Sequence, residues 1–259
     1  MPVFQSLGAP CRWQPLPMAA GPFAGLQGGA VAGLLTAEIE ALAAARQWGM
    51  AVSAAVWFLR PTPMGPLRTK VTALREGGRV NVIDNTLWPE GEDEACATVR
   101  VTLIRPRAVE APGLAIDPPQ PIDPTLYPLR QRAAPHGGPW FMDAMEAREG
   151  PNATWFRLTT EVVEGAGPLS LVLGPADWAH GIGRPLHNVL ADPNPNLTVH
   201  LYRPPHGAWI GVQSKAWWDK AAGVGVGSGA LLDAQGVIGS VSMGVALVPF
   251  PKPNPKPKP

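Results

Sequence analysis

Cysteine is almost missing from this chain: Cys11 and Cys96 are the two in 259 residues, and they form no C-x-x-C pair. A disulfide framework and a thiolate zinc centre are therefore excluded as organising principles, and two structural thiols remain. Charge is scarce as well, at 16% of residues with a net of +1, and the basic side chains are scattered. Nucleic acid and anionic membrane both require concentrated Lys and Arg, so neither is expected as a partner. No basic segment followed by a compact apolar stretch opens the chain, so no secretory signal is expected and the location expected is the cytoplasm. Residues 14–37 carry no charge, but Pro15, Pro17, Pro22 and a crowd of glycines break the run into pieces too short to span a bilayer as one helix.

What is abundant is apolar, 46% of the chain, punctuated by 29 glycines and 32 prolines. That is enough to bury a sizeable core in one large domain or in two of about 100 to 130 residues. The organising feature is a repeat. Val56-Trp57-Phe58-Leu59-Arg60-Pro61 returns as Val199-His200-Leu201-Tyr202-Arg203-Pro204-Pro205, with Arg60 and Arg203 separated by 143 residues. Each copy reads as an apolar strand ended by Arg-Pro, since proline cannot donate to a ladder and restricts the residue before it. Each is preceded by a Gly-containing turn and a helix-like segment. After the first copy come strand-like runs at 67–74, 80–87 and 95–104; after the second come 209–217, a Gly-rich turn at 223–229, then 228–232 and 237–248. One helix-plus-antiparallel-sheet unit used twice is an α+β architecture.

Residues 1–27 read as an extended arm or short strand, and from Gly28 to about Gln47 the period becomes helical. Val31, Leu34, Leu35, Ile39 and Leu42 share one face, and Glu38 falls about 20° from Val31, inside the apolar stripe. A carboxylate there must be paired, hydrogen-bonded or neutral. It is either a residue at the edge of the stripe, paired with an arginine, or a general base facing a pocket. Nine prolines between 105 and 139 make a stiff connector, the expected boundary. The expected units are 15–108, a linker at 109–139, 140–249, and a disordered Pro/Lys tail at 250–259. In the second unit 155–163 and 169–173 read as strands, and a helix interrupted early opens at Gly174-Pro175-Ala176-Asp177-Trp178, with Pro175 and Asp177 in its first turn.

The motif order Gly28-Gly29-Ala30-Val31, Phe58-Leu59-Arg60-Pro61, Val71-Thr72-Ala73-Leu74-Arg75-Glu76-Gly77, Ala176-Asp177-Trp178-Ala179-His180-Gly181, Leu197-Thr198-Val199-His200-Leu201-Tyr202-Arg203-Pro204-Pro205 and Asp233-Ala234-Gln235-Gly236 resembles the double-hotdog acyl-CoA thioesterases, the acyl-CoA thioesterase II type in particular, from about residue 15 to 248. The resemblance implies two hotdog folds, each a long helix wrapped by a curved antiparallel sheet, paired again into a homodimer. It implies a groove between the helices for a fatty-acyl chain, with coenzyme A outside as part of the substrate and no metal or redox cofactor. The residues expected to bind substrate are Gly28, Gly29, Trp57, Asp177, Trp178, Thr198 and His200. The chemistry implied is attack of water on the thioester carbonyl, with backbone N–H groups at a helix start stabilising the oxyanion.

The family holds that water with an Asp, a Thr or Ser, and a Gln. Here Asn196 stands in place of the Asp, Ser214 is the hydroxyl nearest the second position, and no Gln lies between Gly236 and Val248. An amide orients water but does not accept its proton, so catalysis requires another base: Glu38, Asp177, Asp192 or His200. The candidate catalytic set is Asn196, Ser214 and Glu38. The competing expectation is a catalytically silent acyl-CoA-binding or scaffold protein, which a channel filled by Trp57, Trp217 or Trp218 would favour. Gly225-Val226-Gly227-Ser228-Gly229 imitates a nucleophile elbow, but it lies between two strands of a hairpin rather than before a helix.

Overall fold

The computed structural model describes residues 1–114, 118, 121–130, 138–181 and 190–249; the Pro/Lys tail and much of the expected linker lie outside them. In chain order the elements are β1 (Phe4–Ser6), β2 (Arg12–Pro15), α1 (Gly28–Arg46), β3 (Met50–Phe58), β4 (Leu67–Glu76), β5 (Val80–Pro89), β6 (Ala97–Ile104), β7 (Met145–Glu149), β8 (Thr154–Leu158), α2 (Pro168–Ala176), β9 (Leu190–Ala191), β10 (Asn196–Leu201), β11 (Trp209–Asp219), β12 (Val224–Asp233), β13 (Gly236–Ala246) and β14 (Val248–Pro249). Twelve strands make one antiparallel sheet in the order β1-β2-β4-β5-β6-β3-β10-β13-β12-β11-β8-β7. It curls around the two helices, α1 packing on β3 to β6 and α2 on β8, β10 and β11.

The two copies of the repeat are neighbours in this sheet. β3 and β10 run antiparallel with Val56 opposite Leu197 and Ala55 opposite Thr198. An offset of 143 residues makes Ala55 and Thr198 equivalents of each other, so a pseudo-two-fold axis passes between them. The repeated Arg-Pro ends do matching work: Arg60 Nη2 donates to Glu92 at 2.6 Å, and Arg203 Nη2 donates to the fully buried Asp233 at 2.8 Å. The arm at the start of the chain joins the halves, with Val3 and Phe4 N–H groups donating to Glu161 and Val162 carbonyls, both at 2.8 Å.

Helix α1 forms where the period placed it. Gln27 caps its start by accepting from Ala30 N–H at 2.9 Å, and Gln47 ends it in the left-handed region at φ 53°. Helix α1 is long and apolar enough to cross a membrane, and here it packs against the sheet with most of its residues buried. Helix α2 departs from expectation. It starts at Pro168, so the apolar run read as a strand is helical and Asp177 is its C-cap rather than a first-turn residue. Leu169, Val172, Leu173 and Ala176 are spaced by three and four, and Pro168 supplies the helix start that the first prolyl position favours. The glycines at 225, 227 and 229 also leave the expected turn for strand β12, because a Cβ there would lie 2.4 Å from the Trp218 ring, 3.0 Å from His180 and 2.4 Å from the Gln213 carbonyl, respectively.

The helices touch rather than leaving a groove along their whole contact. A Cβ on Gly29 would lie 2.9 Å from Gly174 Cα, and Ser170 Oγ donates to the Gly33 carbonyl at 2.9 Å. No acyl chain fits between the helices at these points, which corrects the expected interhelical groove there.

Candidate functional site

The polar cluster of interest gathers at the N-terminus of α1, where α2 ends. Asp177, 4% exposed, places Oδ2 on Gly29 N–H at 3.0 Å and accepts from Gln27 Nε2 at 2.6 Å. Its Oδ1 accepts from Asn194 Nδ2 at 2.8 Å. Burial pushes the Asp177 pKa up, opposed by the nearby His180 and by these donors. Beside it His180 Nδ1 meets Asp192 Oδ2 at 2.9 Å, with Asp192 2% exposed. A His ring nitrogen held on a carboxylate leaves the other nitrogen to exchange a proton, the orienting logic of a His–Asp pair. The Gly28 N–H carries no acceptor among the described residues. A side chain at Gly28 would press on the Phe58 ring at 3.0 Å and on Asp177 at 3.1 Å. An open amide at the start of a 19-residue helix is a donor placed where negative charge is favoured.

The sequence-derived candidates divide between this cluster and other places. Gly28, Gly29, Asp177 and Trp178 converge here, Trp178 edge-on to Trp140 with ring centroids 5.8 Å apart. Asn196, Ser214 and Glu38 do not converge. Asn196 alternates with buried Leu197, and its Oδ1 accepts from Gly244 N–H at 2.8 Å. Ser214 shares its face with buried Val212 on β11, and β13 and β12 separate that strand from β10. Three strand spacings, with Ser214 level with Val199 rather than Asn196, put the two residues more than about 14 Å apart across the sheet. Glu38 belongs to the other half, accepting from Trp13 Nε1 at 3.0 Å, Thr69 Oγ1 at 2.8 Å and Asn85 Nδ2 at 2.7 Å. It is a hydrogen-bonded carboxylate inside the stripe, held by neutral donors instead of an arginine.

Trp57, Thr198 and His200 sit on the outward face of the joined strands, with Trp57 44% exposed and opposite Asn196 in register. Trp217 also points out at 58% exposure, whereas Trp218 packs against the core. Four participants escaped the sequence reading, His180 among them, since it stood only inside its motif and not among the candidate bases. Gln27 and Asn194 carry no pattern that marks them; Glu40 was legible only as a second acid on an otherwise apolar helix.

The pseudo-two-fold relates this cluster to the N-terminus of α2, where the arrangement is closed. Glu40 Oε1 accepts from Leu169 N–H at 2.7 Å and its Oε2 from Ser170 N–H at 3.1 Å. Pro168 at the first helical position has no N–H to offer. Burial raises the Glu40 pKa to about 7 against those two amides, which lower it. The carboxyl borders a cleft of about 300 Å³. Among the described residues no group of three or more His, Cys, Asp or Glu could hold a metal ion.

Solved structures with this architecture define the class. A thioesterase II from Thermobifida fusca YX, by its description, superposes with a TM-score of 0.70 at 18% identity over 95% of each chain. A hot dog fold protein from Alicyclobacillus acidocaldarius gives 0.66 at 16% over 96% of each. The acyl-CoA thioesterase II TesB2 of Mycobacterium marinum gives 0.66 at 14% over 97% of each. Identities this low speak for fold, and the chain is a double hotdog. No curated protein sequence matches significantly. Family membership is direct: the acyl-CoA thioesterase N-terminal domain matches residues 16–104 and the acyl-CoA thioesterase C-terminal domain residues 106–242. The chain belongs to the acyl-CoA thioesterase family, a membership that supports thioester hydrolysis as its broad activity.

Proposed function

We propose that this protein hydrolyses an acyl-CoA thioester by direct attack of water at the N-terminus of α1. The observation that carries this reading is the open Gly28 N–H. Of the two pseudo-equivalent helix starts, only this one offers a donor, because Glu40 takes both available amides of α2. The thioester oxygen sits on the Gly28 N–H and the carbonyl carbon accepts the water oxygen. His180, turned by Asp192, takes the water proton and returns it to the thiolate as the C–S bond breaks. Asp177 keeps Gln27 and Gly29 in place, and its carboxyl favours the imidazolium that forms. Free acid and CoA leave.

Proline at the first helical position removes only an N–H and is tolerated there, and Gln27 is already extended at φ −74°, ψ 138° as a residue before proline requires. Gly28→Pro therefore deletes the donor, and Gly28→Ala controls for the added Cβ. Thiol release from acyl-CoAs is expected to fall about 10²- to 10³-fold in Gly28→Pro relative to Gly28→Ala. Equal rates in the two variants refute the assignment of the donor.

A second reading, a catalytically silent acyl-CoA-binding protein, is favoured by one observation. Asn196 stands where the resemblance places the family's Asp, and its oxygen is tied to Gly244 N–H instead of facing a free water. Absence of thiol release from short, medium and long acyl-CoAs, with binding retained by calorimetry, would select it.

A further inference from the structure

The cleft beside α2 is built differently from the site at α1. Its walls are apolar: Ala44 from α1, Met50 from β3, Leu103 from β6, Leu169 from α2, Leu201 at the end of β10 and Pro205 beyond it. Among the described residues Glu40 is the one titratable residue lining it. Arg203, next to these residues in the chain, is engaged by Asp233. The Glu40 carboxyl is fixed by its two amide donors, and a Cβ on Gly167 would lie 2.6 Å from its carbon, so a side chain at 167 would displace it.

We propose that this cleft is a proton-linked binding site for a short or medium-chain free carboxylic acid. A volume of about 300 Å³ stands at the lower end of ligand pockets and suits a small apolar group rather than a long chain. The head group follows from the carboxyl. With both amides accepted by Glu40, a ligand meets a carboxyl that, when protonated, has one O–H left to donate outward. A carboxylate receives that proton in a short charge-assisted bond. The positive end of α2 favours such an anion over an amine. Two carboxyls at one place cannot both ionise, so binding fixes one shared proton on the pair. The ligand class is the product of the hydrolysis proposed above; that reading guides the choice of ligand, while the cleft stands on its own geometry.

Octanoate titrated calorimetrically into the full chain at pH 6 and pH 8, in two buffers of different ionisation enthalpy, tests this directly. Glu40 protonates near 7, so binding is expected to weaken about tenfold from pH 6 to pH 8, with close to one proton taken up at pH 8. Glu40→Gln is expected to bind with no pH dependence. Ala44→Trp, which fills the cleft from its open side, is expected to lose octanoate while thiol release stays at the wild-type rate. No binding at pH 6, binding independent of pH, or full binding by Ala44→Trp would each overturn the proposal. Octanoate binding lost in Gly28→Pro and kept in Ala44→Trp would place the acid at α1, which refutes this site and leaves the hydrolase reading standing.

Discussion

Removing the ionisable carboxyl that bridges the two helices should flatten part of the pH dependence of stability. In the folded chain burial raises Glu40 from 4.5 to about 7. The native state therefore holds a proton on this group through a window in which the unfolded chain has released it. Folding is favoured as pH falls through that window, and the penalty for an ionised, desolvated Glu40 is fully present above about pH 7. At about 1.4 kcal/mol per unit the shift amounts to about 3 kcal/mol, an upper figure because the side chain is only half-buried. The Glu40→Gln variant would keep one amide acceptor and carry no charge at this position at any pH, so its own hydrogen-bond deficit is a constant offset. Urea unfolding of wild type and Glu40→Gln at pH 5, 6, 7 and 8 should show the difference in stability moving in favour of the variant by about 2 to 3 kcal/mol between pH 5 and pH 8. Parallel stability curves across that range would refute the claim that Glu40 titrates near neutrality.

Other perturbations test separate parts of the structure. His180→Asn and Asp192→Asn should each lower thiol release about 10²- to 10⁴-fold while leaving acyl-CoA binding by calorimetry unchanged. Gly29→Ala should destabilise by about 1 to 3 kcal/mol in urea unfolding, because the new methyl meets backbone of α2 at 2.9 Å. Asp233→Ala should lower stability by about 3 kcal/mol, since it strips Arg203, His206 N–H and Gln235 N–H of a fully buried acceptor. The Asp233 pKa is lowered by Arg203 and those N–H groups against its burial, so its contribution is present above the usual carboxylate range and fades as pH falls through the folded value.

The fold was legible because its strongest signals are long and periodic. Helix α1 and strands β4 to β6 follow spacing over eight residues or more, and the repeated Arg-Pro ends fix where the halves meet. Helix α2 was misread because a five-residue run with four apolar side chains, 169–173, fits a buried strand as well as a buried helix, and only the proline before it discriminates. The glycines of β12 imitate a turn, since nothing local reveals that Trp218 and His180 need the space their side chains would fill. The site was half legible. Gly28, Gly29, Asp177 and Trp178 came with their motifs, whereas Asn196 and Ser214 came from a family pattern this chain has altered and Glu38 from its place in the apolar stripe, and tertiary distance separates them. Gln27 and Asn194 reach Asp177 from 150 and 17 residues away, a meeting that no local pattern announces.

Duplication gives this protein two helix starts facing carboxylates from the opposite helix, and the two have diverged in what the carboxylate leaves free. At α2 a proline removes the first amide and Glu40 bonds the next two, so the helix end is closed. At α1 a glycine keeps the first amide, Asp177 takes the second, and Gln27 caps the third. One donor remains, and Asp177 next to it has near it a histidine already held by an aspartate. A single backbone N–H is thus the difference between a closed helix end and one on which an oxyanion could form. Substituting Pro168 by Ala would restore an N–H at the first position of α2. If an open amide were sufficient for catalysis, that variant would gain a second active site. The absence of His180 and Asp192 counterparts among the described residues around the cleft predicts that it does not, and that thiol release by Pro168→Ala stays at the wild-type rate.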